Sequence, residues 1–284
     1  MIRKLIRLSP STAAVSLPTS WIKKNNLSRG ASLFVEEKEN NIVIKAFNHK
    51  TDTSTQIEAY HLDKTMMLMA VDAAYISGYD CIKILTKSQE MITFLSKAVR
   101  FYPGMIVHEQ SFDYLIYKDI AENSQADFVK TINHLYNLLI SLVEDANQYV
   151  TKREWDHLDR LKKRDYNFNS YVSYCQRCLN KYGYVNLSKA GILHTYVKIM
   201  EMIADKICAE FMQIGQDKGK INSNLVDHLL SVLRKMQRTR AELIYDRLSE
   251  IEAERIKALK LKGDFSEVFQ LIFDLEELEL QLKI

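Results

Sequence analysis

The sequence of 284 residues is poor in the two residue types that interrupt regular structure. It contains 8 Gly and 3 Pro, whereas average usage would give roughly 20 Gly and 14 Pro. Because turns depend on these residues, few turns can be made, and long uninterrupted helices should dominate the fold. The shortage argues against an all-β sandwich.

The chain also lacks long apolar runs. Charged residues interrupt every apolar stretch before the roughly 18 residues needed to cross a bilayer, so we expect no membrane span. The opening MIRKLIRL is short and charged, which is not typical of a signal peptide. Four cysteines in a chain without such a leader indicate a reducing compartment, and we expect a cytoplasmic protein.

Charge is distributed unevenly along the chain. Residues 1–50 hold nine Lys or Arg and three Glu, a net charge of +6, and residues 51–121 hold six basic and nine acidic residues, a net charge of −3. Residues 122–284 hold 24 of each sign. The positive charge is therefore concentrated where it could attract a polyanion.

The first fifty residues predict two β-ribbons around a short helix. Alternating stretches at 2–8 and 13–17 form one ribbon, and those at 32–36 and 41–47 form the other. The helix, TSWIKKNN, is expected to be capped by Ser20 or Thr19 and to end at LSRG, where Gly30 supplies a positive-φ turn. Trp21 is expected in the core. So few apolar residues make a marginal core, which favours oligomerisation.

The rest of the chain predicts an α/β segment followed by helices. After a polar linker at 48–56, we expect strands at 56–61, 80–85, 105–110 and 113–118, with helices at 63–77 and 88–101. Helical periodicity then predicts a bundle with helices at 126–150, 152–182, 188–215, 223–262 and 265–282. The segment 223–262 is long enough to protrude and pair with another chain, although packing on one bundle face is commoner.

The stretch VSLPTSWIKKNNLSRG, preceded by RKLIRL, resembles the archaeal form of the AbrB/SpoVT swapped-hairpin domain. The resemblance implies that two chains interleave hairpins into one β-barrel and that this dimer binds DNA. Ala31 departs from the family, which commonly has an acidic residue after the glycine. The residues expected to contact DNA phosphates are Arg3, Lys4, Arg7, Ser9, Lys23, Lys24 and Arg29. The alternative is an ordinary solvated basic face.

Two later stretches extend this resemblance. DAAYISGYDCIKI looks like the middle segment of archaeal proteins that join an AbrB-like domain to a PhoU-like domain, and MEMIADKICAEF resembles the E-x-x-x-D helix of PhoU. Taken together, the chain resembles an archaeal phosphate uptake regulator. The PhoU family binds metal through carboxylates on two helices, which implies Glu201 and Asp205 here. On the partner helix, RDYNFNSY, only Asp165 supplies a carboxylate.

Two other sites have weaker sequence signals. Cys175 and Cys178 form a lone C-x-x-C that could hold zinc with Cys208 or His194, but buried thiols are the commoner outcome. We expect no resident cofactor, because a divalent or iron-type metal has only the three carboxylates named above. No nucleophile, histidine or metal spacing indicates a catalytic site, so the protein is not expected to be an enzyme.

These observations predict an α+β multidomain protein. We expect a dimeric AbrB-like swapped-hairpin barrel at 1–50, a small α/β segment at 51–121 and an all-α PhoU-like bundle at 122–284. The expected function is transcriptional regulation of phosphate uptake or a related response. The partners would be double-stranded DNA, a second copy bound through the first domain, and a signal or protein bound by the bundle. The rival is a non-DNA protein that docks on a phosphate transporter or signalling kinase; a metal-dependent enzyme ranks last.

Overall fold

Small sheets and long helices occur together along this chain, so its fold is α+β. The computed structural model describes residues 2–10, 12–38, 41–46, 53–121, 125–182, 187–238, 253 and 265–283. The chain divides into two structural units, Met1–Thr51 and Asp52–Ile284. The segments predicted at 51–121 and 122–284 lie almost entirely within the second unit.

The first unit consists of two antiparallel ribbons and one helix. Its elements are β1 (Ile6–Ser9), β2 (Thr12–Ala14), α1 (Thr19–Lys24), β3 (Leu33–Lys38) and β4 (Asn41–Ala46). Strand β1 pairs with β2 and β3 with β4, and the described residues of one chain form no closed barrel. Gly30 has φ of +85°, which confirms the predicted turn. The capping prediction is wrong, because α1 begins after Pro18 and no side chain caps it.

A four-stranded mixed sheet with helices on one face begins the second unit. Its elements are β5 (Ser54–Glu58), α2 (Lys64–Ile76), β6 (Cys81–Leu85), α3 (Gln89–Ala98), a 3-10 turn (Val99–Phe101), β7 (Met105–Gln110) and β8 (Tyr114–Asp119). The strand order is β5-β6-β8-β7, with β5 parallel to β6 and the other pairs antiparallel. Alternate residues such as Ile82, Ile84, Leu115 and Tyr117 are fully buried beneath the helices.

Side-chain caps fix where the two helices of this segment begin. The Asp63 carboxylate accepts a hydrogen bond from the Met66 backbone N–H at 2.8 Å, at the start of α2. The Ser88 hydroxyl accepts one from the Met91 N–H at 3.2 Å, at the start of α3. Each cap satisfies a donor that the first helical turn leaves without an intrahelical partner. The observed starts therefore lie within one residue of the predicted ones.

Long helices form the remainder of the second unit. They are α4 (Gln125–Lys152), α5 (Asp159–Tyr182), α6 (Leu187–Gln216), α7 (Ser223–Arg238) and α8 (Ser266–Lys283). Helix α6 packs against α4, α5 and α8, and α7 packs against α4, which gives the bundle its apolar core. None of the helices in the described ranges combines the length and hydropathy needed to cross a membrane.

One helix of the bundle begins later than predicted, and another is described only in part. The helix predicted to begin at 152 begins at Asp159, because Arg153 takes a positive φ of 59° and a 3-10 turn covers Trp155–His157. That prediction was wrong by about two helical turns. The long helix predicted at 223–262 is present as Ser223–Arg238, and the rest of it, apart from residue 253, lies outside the described residues.

Helix α5 is joined to the α/β segment by a buried network of charges. The Arg177 side chain is fully buried and donates to the carbonyl oxygens of Tyr75 at 2.7 Å and Tyr79 at 2.9 Å. It also donates to Asp119 Oδ2 at 2.7 Å, and Lys181 donates to the same oxygen at 2.6 Å. These bonds fasten α5 to the end of α2 and to the last residue of β8.

The fourth member of the network is Asp80, just before β6. It forms an ion pair with Lys181, and its other oxygen accepts hydrogen bonds from the Thr53 backbone N–H at 3.0 Å and hydroxyl at 2.9 Å. The close approach also requires a small residue at Gly78, because a Cβ there would lie 3.1 Å from the Lys181 Cβ. Gly78 has φ of +94°, which favours glycine independently.

The charge state of the network follows from these contacts. Burial alone would raise the pKa of Asp119, but hydrogen bonds from Lys181 and Arg177 outweigh burial and hold that pKa below its usual range. The same balance, with Lys181 and Thr53 as donors, lowers the pKa of Asp80. Both carboxylates therefore stabilise the fold above the ordinary Asp pKa of 3.8, and this stability is lost as pH falls through their lowered pKa values.

Replacing Arg177 tests how much the fold depends on this network. Arg177→Met should lower the free energy of unfolding by about 3–5 kcal/mol, because it removes one member of a buried charge network and strips two carbonyls of their donor. Urea unfolding followed by circular dichroism measures the loss. Lys64→Met breaks the exposed ion pair with Glu90 and should change stability little. Equal effects of the two substitutions would contradict the central role of the network.

Candidate functional site

The predicted DNA-contacting cations all lie on the surface of the first unit. Arg3 and Lys4 precede β1, Arg7 lies within it, Lys23 and Lys24 occupy the last turn of α1, and Arg29 lies in the turn before β3. All six are exposed. Ser9, at the end of β1, is half-buried. The Arg7 guanidinium donates to the Pro10 carbonyl at 3.3 Å across the turn between β1 and β2. The structure thus places these cations at the start of β1 and around α1.

The same unit leaves its apolar side chains uncovered. Ile2 is 99% exposed, Leu8 66%, Val35 59% and Ile42 69%, and none of the first unit's described residues with an assigned exposure is buried. Trp21 was predicted to be buried, but it is only half-buried. A cavity of about 260 Å³ in this unit is lined mainly by Leu17, Ile22, Leu27, Ala31 and Leu33. Such exposure in a small sheet domain marks an interface or an aggregation hazard.

The three predicted metal ligands lie near one another in the bundle. Asp165 of α5 forms a hydrogen bond with Asp205 of α6, which requires a shared proton. Burial, this hydrogen bond, and the charges of Asp205 and Glu201 raise the pKa of Asp165 to about 7. Glu201 lies one turn from Asp205 on α6, and its carboxylate accepts a hydrogen bond from the Lys198 ammonium at 2.6 Å.

This arrangement differs from a preformed metal cage. Two carboxylates that share one proton carry a single negative charge between them, whereas a hard or di-iron-type ion needs several anionic oxygens converging on one point. Within the described ranges, no group of three His, Cys, Asp or Glu side chains is arranged to hold a metal ion. The three residues therefore do not fit a metal cluster in this geometry. Metal binding by Asp165, Glu201 and Asp205 stays a prediction.

Three of the four cysteines belong to the bundle core. Cys175, Cys178 and Cys208 are all buried among apolar side chains, as expected for small core residues. Burial raises the pKa of the Cys175 thiol, and burial together with the charges of Asp165 and Asp205 raises the pKa of Cys208 to about 12. The thiols of Cys175 and Cys208 are therefore protonated at neutral pH. His194 is half-buried, and burial lowers its pKa.

Sequence reasoning missed one carboxylate that the structure makes prominent. Asp72 lies on α2, half-buried, where the hydroxyl of Tyr102 forms a hydrogen bond with it and the charge of Glu201 acts on it. A signal was present, since Asp72 is the one charged residue in the α2 stretch MMLMAVDAAYI. A carboxylate in such an apolar stretch is costly to bury unless it has partners.

Comparison of the chain with protein-family models, with curated proteins and with solved structures finds no match. The resemblances to AbrB/SpoVT and to PhoU therefore depend on the sequence motifs alone. The exposed cations of the first unit and the neighbouring acidic groups of the second are the features from which a function can be inferred.

The proton shared by Asp165 and Asp205 makes stability depend on pH. Folding raises the pKa of Asp165 from 3.8 to about 7, so the folded state binds this proton more tightly and loses stability as pH rises through this range. Asp165→Asn carries no such proton. The variant should therefore gain stability relative to wild type as pH rises from about 5 to about 8, measured by urea unfolding.

The exposed Asp159 at the start of α5 supplies the matched control. Asp159→Asn removes a carboxylate from the same helix and should leave the pH dependence of wild type unchanged. If Asp165→Asn keeps the wild-type profile as well, Asp165 does not hold the proton.

Proposed function

We propose that this chain is a DNA-binding transcriptional regulator that acts as a homodimer through its first unit. The observation that carries the proposal is the combination, in one small unit, of six exposed cations and an uncovered set of apolar side chains. The motif resemblance supports regulation of phosphate uptake or a related response. In this proposal the second unit receives a signal or binds a protein partner.

The proposed dimerisation is argued from the small apolar core of the first unit. A unit of about fifty residues has too little apolar surface to offset the entropy of ordering its chain. This one also leaves Leu8, Val35 and Ile42 more than half exposed. Each Å² of apolar surface covered by a partner contributes roughly 25 cal/mol. We infer that a second copy covers this surface, because the resembled domain interleaves the hairpins of two chains.

DNA binding follows from where the charge lies. The exposed cations belong to the same small unit that a second copy would complete, so a dimer carries two sets of them. Each DNA phosphate that a cation neutralises releases condensed counterions, which gives affinity without sequence preference. Sequence preference would come from side chains that reach the base edges.

Charged substitutions on the uncovered apolar surface should prevent dimerisation. Leu8→Lys combined with Ile42→Lys is expected to convert the dimer to a monomer in sedimentation velocity, because burying two ammonium groups in a shared core is costly. Phe112 is 76% exposed in the second unit, and Phe112→Lys should leave the dimer intact. If wild type is a monomer, or if the variant with both lysines remains a dimer, the proposed interface is wrong.

Removing cations from the first unit should abolish salt-sensitive DNA binding. With Arg3, Lys4, Lys23 and Lys24 all changed to Ala, affinity for duplex DNA at low salt should fall at least about tenfold. The slope of log affinity against log salt should also become shallower. Fluorescence anisotropy at two salt concentrations measures both.

Four exposed cations of the second unit make the control. Lys87, Lys97, Lys152 and Arg160 changed to Ala remove the same formal charge, and this variant should bind DNA like wild type if the first unit is the contact surface. If the folded wild-type dimer binds no DNA, the DNA-binding proposal is wrong, and the rival proposal of a protein that docks on a transporter or kinase is favoured. Equal losses in both variants would indicate a general charge effect.

A further inference from the structure

Two neighbouring cavities in the second unit share a pair of aromatic walls. The rings of Phe101 and Tyr166 lie 5.9 Å apart between centroids, at an angle of 36°. One cavity, of about 120 Å³, also contacts Asp72 of α2. The other, of about 430 Å³, also contacts Arg100 and Lys163. One cavity is therefore lined by a carboxylate and the other by two cations, and the rings of Phe101 and Tyr166 line both.

The acidic cavity is suited to a cation. Its walls include Leu68, Phe101 and Tyr102, so the Asp72 carboxylate faces a largely apolar space. No cationic side chain in the described ranges forms an ion pair with Asp72, while burial and the charge of Glu201 raise its pKa. A bound ammonium group would supply the missing positive charge, and the aromatic faces would attract it as well.

Asn169, a residue that lines the same cavity, has an unused acceptor. The Oδ1 atom of Asn169 is buried and has no hydrogen-bond partner among the described residues. A buried acceptor without a donor destabilises the folded state, and a ligand that supplies a donor removes this penalty. An ammonium group has three donors, which suits a site with one carboxylate and one amide oxygen.

The second cavity is suited to an anion. The Arg100 guanidinium lies 4.9 Å from the centroid of the Phe101 ring, and Lys163 is exposed on α5. Neither forms an ion pair with a carboxylate within the part of the chain that the structure describes. A guanidinium and an ammonium at one cavity can bind a carboxylate group together.

We propose that the second unit binds a small zwitterion in which a short aliphatic chain joins an ammonium group to a carboxylate. The ammonium group binds Asp72 and Asn169, and the carboxylate binds Arg100 and Lys163. The chain lies against the rings of Phe101 and Tyr166. An α-amino acid without a side-chain charge carries both groups on one carbon, so the separated charges favour an ω-amino acid. This inference does not depend on DNA binding by the first unit.

Isothermal titration calorimetry of the full chain tests the proposal with three matched probes. 6-Aminohexanoate carries both charges, hexylamine lacks the carboxylate, and hexanoate lacks the ammonium group. The zwitterion should bind at least about tenfold more tightly than either analogue, because it makes both charged contacts and each analogue makes one. Shorter ω-amino acids, down to 4-aminobutanoate, then define the distance between the two ends.

Two variants and a control assign the ends of the ligand. Asp72→Asn should weaken binding of 6-aminohexanoate at least about tenfold while leaving hexanoate unchanged. Lys163→Gln should weaken 6-aminohexanoate and leave hexylamine unchanged. Lys162 neighbours Lys163 on α5 but lines neither cavity, so Lys162→Gln should bind like wild type.

Several results would overturn the proposal. Hexylamine binding as tightly as the zwitterion would show a site for cations only, and equal binding of hexanoate would show a site for anions only. No binding by any ω-amino acid of the series up to about 10 mM would remove the site altogether. If Asp72→Asn fails to fold, the probe series and Lys163→Gln still decide the question.

Discussion

The second unit depends on one interaction, the burial of Arg177 and Lys181 against Asp80 and Asp119. Two cations cannot enter a protein interior unless carboxylates and carbonyl oxygens receive them, and here the acceptors come from the ends of α2 and β8 and from the turn before β6. The charges therefore dictate which face of α5 meets the α/β segment. An apolar contact would allow sliding, whereas these directional bonds allow one arrangement.

The position of α5 in turn determines where two other sets of polar residues lie: those that line the cavity against α2 and those that contact α6. Asp165, Asn169, Ser173, Arg177 and Lys181 follow one another at intervals of four, so they form a single stripe along the helix. The last two lock the helix to the α/β segment. Because those two are fixed, Asn169 and Ser173 line a cavity beneath α2, and Asp165 meets Asp205 of α6.

The buried charge network and the cavity between α2 and α5 therefore depend on the same placement of α5. A ligand that changed the distance between α2 and α5 would act directly on the hydrogen bonds of Arg177 to the carbonyls of Tyr75 and Tyr79. Buried polar networks of this kind favour one arrangement over its competitors, often at some cost in stability. A network that specifies the distance between two elements is well placed to report a ligand bound between them.

Periodicity predicted most elements of the second unit because burial there is one-sided. The strand at 105–110 is observed at the predicted bounds, and the helix predicted at 188–215 differs by one residue at each end. The start of α5 was wrong because Arg153 adopts a left-handed conformation that side-chain pattern does not encode. A break at an arginine, unlike one at Gly, Pro or Asn, has no compositional signal.

The burial of Arg177 and Lys181 on α5 escaped prediction for a different reason. Lys and Arg on a helix are normally solvated, so Arg177 and Lys181 carried no sign of burial in the sequence. Their partners, Asp80 and Asp119, lie about sixty or more residues away and become neighbours only in the folded unit. The Asp165–Asp205 contact was expected only through family resemblance. Long-range pairing of charges depends on tertiary structure, which a single sequence does not display.

The first unit presents the opposite physical problem, because its charges are solvated and its apolar residues lack cover. Trp21 illustrates this: it was expected to be buried and is half-buried in one chain. A sequence pattern reports that a residue will be buried, but it does not say which chain will bury it. If the core of this unit is shared, its exposed cations are also paired by the same symmetry. Dimerisation and polyanion binding would then be two consequences of one incomplete core, and loss of the shared core would separate the two sets of cations.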